Sequence, residues 1–256
     1  MNRFTGIFIM LISFLVVSCH TNDTSTSKAL PVKFEATGDS IALMLAEHTM
    51  LASGGIDAWN NIPTITWNFF GRRKLLWDKH KHLVRIDFVN RPLKMWMDLT
   101  NDTIGQIWLD DHYLTGDSLH DYLARTKSIW INDSYWLSFP FKLLDKGVDL
   151  TMSEPDTNML GASSQTFWIT FEDVGNTPNN KYKVYVSDST HLVNQWDYYR
   201  DSISTLPDLA TTFENYNAYD GVLLSQKRSG FTLSDIQTFQ SFDSDSLKDL
   251  SVEVFW

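Results

Sequence analysis

The sequence predicts a mainly β, α+β domain: a curved antiparallel sheet with helices on its concave side. Three observations predict it. Successive runs alternate apolar and polar residues with period 2, which is how antiparallel strands with one buried face read. One segment near the N-terminus and another mid-chain break that rhythm with helical spacing. Turn-forming stretches such as GNTPNN, DSTH and YDGV separate the later runs.

The first element is a helix over DSIALMLAEHTMLASGG, residues 39–55. Asp39 or Ser40 suits its N-cap, and Gly54 and Gly55 suit its stop, since glycine accepts left-handed backbone. Ile41, Met44, Leu45, Thr49 and Ala52 recur at helical spacing and predict its buried stripe. A short turn, IDAWNNI, is closed by Pro63.

The period then becomes 2. Ile65, Trp67 and Phe69 share one face, against Thr64, Thr66 and Asn68. KLLWD, the turn DKHKH and the strand LVRIDF follow, with Val84, Ile86 and Phe88 opposite Arg85 and Asp87. Leu93, Met95, Met97 and Leu99 alternate with Lys94, Trp96 and Asp98. TIGQIWLDDHYLTGD reads as a strand pair or a strand and turn. DSLHDYLARTKSIW, residues 117–130, predicts a short helix capped by Asp117 or Ser118. Strands resume in SSQTFWITFED, KYKVYVSDST, LVNQWDYYRD, TTFENYNAYDGVLLSQKRSG and FTLSDIQTF. The aromatic content of 14% suits such half-buried pleated surfaces and also suits an apolar ligand pocket.

Cys19 is the only cysteine. It ends a segment with one charged residue, Arg3, and an apolar run, IFIMLISFLVV, too short for the roughly 20 residues a bilayer span needs. That is the layout of a secretory signal. V-V-S-C resembles the lipobox of bacterial lipoproteins, which implies lipidation of Cys19 and removal of residues 1–18. Residues 19–36, polar and poor in large apolar side chains, read as a flexible tether. Residues 37–256 suit a single domain. The formal net charge is −10, and cleavage removes one further base. That balance excludes nucleic acid, whose binding needs clustered positive charge. It also leaves membrane attachment to the lipid rather than to electrostatics.

GGIDAWNNI (54–62), GRRKLLWDKHKHLVRIDF (71–88), YWLSFPFKLLDKGV (135–148) and NQWDYYRD (194–201) carry a family resemblance. With the lipoprotein signal and the interrupted meander, the chain resembles the LolA/LolB-like carriers of bacterial lipoproteins. It resembles more closely a group of Bacteroidetes outer-membrane lipoproteins sharing that fold. FPFKLL stands where those carriers have an Asn-Pro-Phe-X-Leu segment. The resemblance implies a half-open β-barrel whose concave apolar face lies under a lid of N-terminal and mid-chain helices. It implies an outer-membrane lipoprotein, facing the periplasm or the cell surface, that binds a lipid or lipoprotein acyl chain without catalysis. Ile65, Trp67, Phe69, Val84, Ile86, Phe88, Leu93, Met95, Met97 and Leu99 are then the candidate cavity lining. The competing account of the same residues is core packing against the first helix.

Catalytic patterns are sparse. His80 and His82 with Asp78 form a possible metal set only if strand-like alternation runs through a charged turn. No G-X-S-X-G elbow, H-E-X-X-H or glycine-rich phosphate loop occurs. Acidic pairs such as Asp110–Asp111 read as solvated loops. No catalytic residue, metal ligand or cofactor is assigned. Two further readings stay open. Tyr135–Trp136 and Trp196 with Tyr198 and Tyr199 suit a binding module for carbohydrate or protein if exposed, and structural tryptophans if buried. A hydrolytic enzyme is the third.

Overall fold

Backbone pairing follows the alternation of the sequence closely. The structure, a computed structural model, describes residues 34–253 except Asp173, Asn176 and Pro178. Cys19, the expected signal and the tether up to residue 33 lie outside the described residues. β1 (Thr37–Gly38) leads into α1 (Ser40–Ala52) and α2 (Ile56–Asn61). Then come β2 (Thr64–Phe69), β3 (Arg73–Asp78), β4 (Leu83–Phe88), β5 (Leu93–Asp98), β6 (Gly105–Leu109) and β7 (His112–Tyr113). α3 (Gly116–Ser138) and a 3-10 turn (Phe139–Lys142) interrupt the strands. β8 (Val148–Thr157), β9 (Ser163–Phe171), β10 (Lys181–Ser187), β11 (Val193–Tyr199) and β12 (Leu209–Thr212) follow. β13 (Glu214–Tyr219), β14 (Val222–Arg228), β15 (Phe231–Phe239) and α4 (Ser244–Lys248) complete the described order.

The strands form a six-stranded sheet, β1-β8-β9-β10-β11-β12, and a nine-stranded sheet, β13-β14-β15-β2-β3-β4-β5-β6-β7. Every pairing is antiparallel except β1 with β8. The chain passes from the end of one sheet to the end of the other at Phe213, between β12 and β13. The opposite edges, β1 and β7, do not pair, so the barrel is half-open.

Register fixes which side chains share the concave face. Ile65 pairs with Trp77, Trp77 with Val84, and Val84 with Met97. Leu75 pairs with Ile86, Ile86 with Met95, and Met95 with Ile107. Directly paired residues point the same way. Ile65, Trp67, Phe69, Val84, Ile86, Leu93, Met95 and Met97 are buried in one apolar cluster, with Phe88 and Leu99 half-buried against it. α3 covers this face. Its Thr126 hydroxyl lies 3.3 Å from the Met95 sulfur, and its Leu123 crosses β6 at Gly105. A Cβ at Gly105 would stand 2.5 Å from Leu123 Cδ2 and 2.4 Å from the Trp96 carbonyl oxygen, so only glycine admits the helix.

Four sequence expectations are corrected. α1 buries Ala42, Ala46, Thr49 and Met50, while Ile41 and Met44 stay exposed. Small residues face in because the helix packs close against β8 and the 3-10 turn. Asp39 stands at the N-cap of α1 without a side-chain cap bond; its carboxylate accepts from Met152 N–H at 2.9 Å and ties α1 to β8. The mid-chain helix is no short element but 23 residues, because Ile129, Trp130 and Leu137 continue its inner face to Ser138; it starts after Thr115, and neither Asp117 nor Ser118 is its N-cap.

The fourth correction concerns the face opposite the concave one, expected to be wet. Leu76, Leu83 and Trp96 are buried there under Leu247 and Leu250. Arg85, fully buried, forms a two-pronged pair with Asp87 (2.8 and 2.9 Å). It also donates to the carbonyls of Asp249 (2.8 Å) and Val252 (2.7 Å). α4 is too short to show helical periodicity, but Asp243 caps it by accepting from Asp245 N–H.

Candidate functional site

A pocket of about 320 Å³ opens between the C-terminal half of α3, the 3-10 turn and the β8–β10 face of the six-stranded sheet. Trp130, Ile131, Tyr135, Val148, Phe171, Val174 and Tyr182 form its apolar wall. Lys142, Asp145, Lys146, Asn132, Ser134 and Asn180 supply its polar groups, with Gly175 and Thr177 completing it. Its size falls at the lower end for small-molecule sites, and its make-up, apolar walls with few polar groups, is typical of them.

The local fold explains the wall. FPFKLL turns the chain sharply after α3 and buries Phe139, Phe141, Leu143 and Leu144. That leaves Lys142 half-exposed at the rim, 3.0 Å from Asp145, with Lys146 exposed beside it. Phe171 and Tyr182 come from neighbouring strands, their rings perpendicular at 6.0 Å. Tyr135 from α3 meets Tyr182 at 5.8 Å. Burial pushes both tyrosine hydroxyls above their ordinary value, so both stay neutral donors at any physiological pH.

None of the ten sequence-derived lining residues lines this pocket; all ten lie on the concave face or at its margin, in the apolar cluster that α3 covers. The two regions belong to one apolar cluster and touch at a ring contact. Trp130 of the pocket wall stands edge-on to Trp77 of the concave face, centroids 5.2 Å apart. The sequence reading missed the pocket because its wall comes from α3, the 3-10 turn and three strands distant in the chain.

A second polar feature flanks the concave face. Lys79 donates to the Trp59 carbonyl and lies 3.8 Å over the Trp59 ring. Trp59 stacks on Phe141 at 5.0 Å. Burial, aided by the nearby Lys142 charge, lowers the Lys79 ammonium to about 7. His80 and His82 lie in the turn rather than on a strand: His80 contacts the Asn60 carbonyl at 3.0 Å, and His82 has left-handed backbone. Among the described residues no group of three or more His, Cys, Asp or Glu side chains is arranged to hold a metal. The aromatic platforms are not exposed. Trp196 is buried among Tyr135, Trp136, Phe139, Tyr182 and Phe213, and Tyr199 points to the other face against Trp168. Among the described residues no helix is long and apolar enough to cross a membrane.

No protein-family model and no curated protein matches the chain. Solved structures overlap it in part. A DUF1329 family protein from Desulfovibrio piger shares 14% identity at a TM-score of 0.44, covering 83% of this chain and 99% of its own. A LolA superfamily protein from Nitrosomonas europaea shares 9% at 0.43, covering 82% and 99%. An outer membrane lipoprotein-sorting protein domain from Vibrio parahaemolyticus shares 10% at 0.36, covering 79% and 97%.

Proposed function

We propose that this chain is a lipid-anchored envelope protein that holds an acyl chain, of a lipid or a lipoprotein, without catalysis. The observation that carries the reading is the apolar pocket beside α3, whose wall is continuous with the apolar cluster of the concave face and touches it at the Trp130–Trp77 contact. A hydrocarbon tail gains about 0.8 kcal/mol per methylene buried, so a dry aromatic wall suffices for affinity. The tail enters at the Lys142–Lys146 rim. As Trp130 swings aside, it continues onto Ile65, Trp67, Phe69, Val84, Ile86, Phe88, Leu93, Met95, Met97 and Leu99. The methionines there adapt to chains of differing shape.

Anchoring follows from Cys19, lipidated as the new N-terminus, in the outer membrane. Its support in the described residues is the outward stripe of α1. Ile41, Met44 and Leu51 are 60%, 51% and 57% exposed, immediately after the tether. A stripe of that kind, held close to a bilayer by a lipid tether, rests against the interface.

The test is to purify the protein from the periplasm without its anchor, extract it with organic solvent and identify the extract by mass spectrometry. A lipid near one per protein, displaceable by a fluorescent fatty acid, is the expected result. An empty extract with no probe binding overturns the reading.

A further inference from the structure

Three arginines are buried or nearly so in the described chain, and they are not treated alike. Arg73 presents its Nε and Nη2 edge to Asp133, at 2.8 and 2.9 Å. Arg85 presents the same edge to Asp87, at 2.8 and 2.9 Å. Both are two-pronged carboxylate pairs, the strongest geometry a guanidinium makes. Arg228 is 1% exposed and has no carboxylate among the described residues. Its Nη1 donates to Ser225 O, Ser225 Oγ and Lys227 O (3.1, 2.7 and 3.2 Å), and its Nη2 to Trp136 O at 2.7 Å. Its Nε–H has no partner. The plane sits 3.7 Å over Phe213. A buried cation held only by neutral acceptors is costly, and burial, partly opposed by Tyr216, pulls this guanidinium down to about 9.

The unpaired buried groups elsewhere in the interior are mostly donors as well. Among the described residues, the buried side-chain atoms without a partner are Trp67, Trp77, Trp130 and Trp196 Nε1, Arg228 Nε and one acceptor, Asn180 Oδ1. Five are N–H donors. Buried indole N–H groups ordinarily find an acceptor. One of the donors, Trp196, connects the pocket to Arg228. Tyr135 and Tyr182 of the wall touch the Trp196 ring at 5.8 and 5.1 Å. Trp196 meets Phe213 at 5.0 Å, and Phe213 carries the Arg228 guanidinium. An interior that offers donors and one unpaired cation is built for a guest with acceptor oxygens, not for plain hydrocarbon.

We propose that the Nε–Nη2 edge of Arg228 receives the carboxylate of a long-chain fatty acid, which enters through the pocket past Tyr135 and Tyr182. This deepens the acyl-binding reading and rests on it. The acid occupies the edge that Asp133 and Asp87 occupy on the other two arginines. The free acid thus enters head first, with its tail lying back along the aromatic wall, whereas an esterified chain enters tail first.

The test is calorimetric titration of the anchor-free protein with palmitic acid and with methyl palmitate, which differ in the carboxylate alone. The acid binds the wild type at least about tenfold tighter, as one charge-assisted pair implies. Arg228→Met keeps ester binding and loses the preference; melting curves check that it folds, and the wild-type comparison needs no variant. Equal wild-type affinities for acid and ester overturn the Arg228 site and leave acyl binding standing. A preference that survives in Arg228→Met does the same. Binding of neither ligand overturns both.

Discussion

Trp130 and Trp77 meet edge to face with centroids 5.2 Å apart, and both indole N–H groups are buried without an acceptor. The contact stands between the pocket wall and the packed concave face. Trp130→Ala opens the wall at that point and costs about 3 kcal/mol of stability. Denaturant unfolding reads the cost. Titration with a fluorescent fatty acid reads the gain, a tighter or second binding event. Unchanged probe binding would show that Trp130 does not gate the interior.

Lys79 gives a pH signature. Its folded-state value, lowered to about 7 by burial and then by Lys142, lies below the 10.5 of the unfolded chain. Between those values the unfolded chain holds more protons, so stability rises with pH across the window. Below pH 7 both states are charged and the cost of burying the ammonium is present in full. Lys79→Met removes that cost. Its melting temperature exceeds that of the wild type most at pH 6 to 7, and the gap narrows toward pH 10. Parallel melting curves across that range would contradict the assignment.

The Arg73–Asp133 pair ties α3 to β3, with the Asp133 side chain fully buried. Removing one partner leaves a buried charge, so Arg73→Met costs about 3–5 kcal/mol. Asp133→Leu in the same background removes the stranded carboxylate and recovers most of the loss. A double-mutant cycle by denaturant titration measures the coupling. Additive losses would mean that the helix is held by apolar packing alone.

The concave face was legible because alternation fixes side: once Ile65, Val84 and Met97 are each read as inward, antiparallel register must bring them together. The direction of α1 was legible only in part. Thr49 is buried and Leu45 packs against the core as expected, but Ile41 and Met44 face out, and close packing turned Ala42 and Ala46 inward instead. The pocket was not legible either, because no local pattern links Trp130 to Phe171 and Tyr182. Arg228 gave a sequence signal too weak to separate it from the surface lysine beside it. Its burial, with no acid opposite it among the described residues, distinguishes it.

The C-terminal segment is the last case, where one face of a strand looks polar and is not wet. Arg85 and Asp87 alternate with Val84 and Ile86 and read as solvent-facing, yet Arg85 is fully buried and binds the carbonyls that follow α4. Leu247, fully buried against Leu76, Leu83 and Trp96, supplies the apolar half of that dock. Leu247→Ala therefore costs about 2–4 kcal/mol, as for any well-packed leucine. It also loosens the cover over Trp96, whose indole donates to Gln106 Oε1 at 3.1 Å. Arg85→Met differs in kind: it strands Asp87 and frees the carbonyls of Asp249 and Val252 together. Limited proteolysis separates the two effects. Leu247→Ala lowers the melting temperature and accelerates cleavage after residue 243 modestly. Arg85→Met accelerates that cleavage more per degree of lost stability, because the terminal carbonyls lose their donor. Equal acceleration per degree would mean that the tail is held by Leu247 and Leu250 alone.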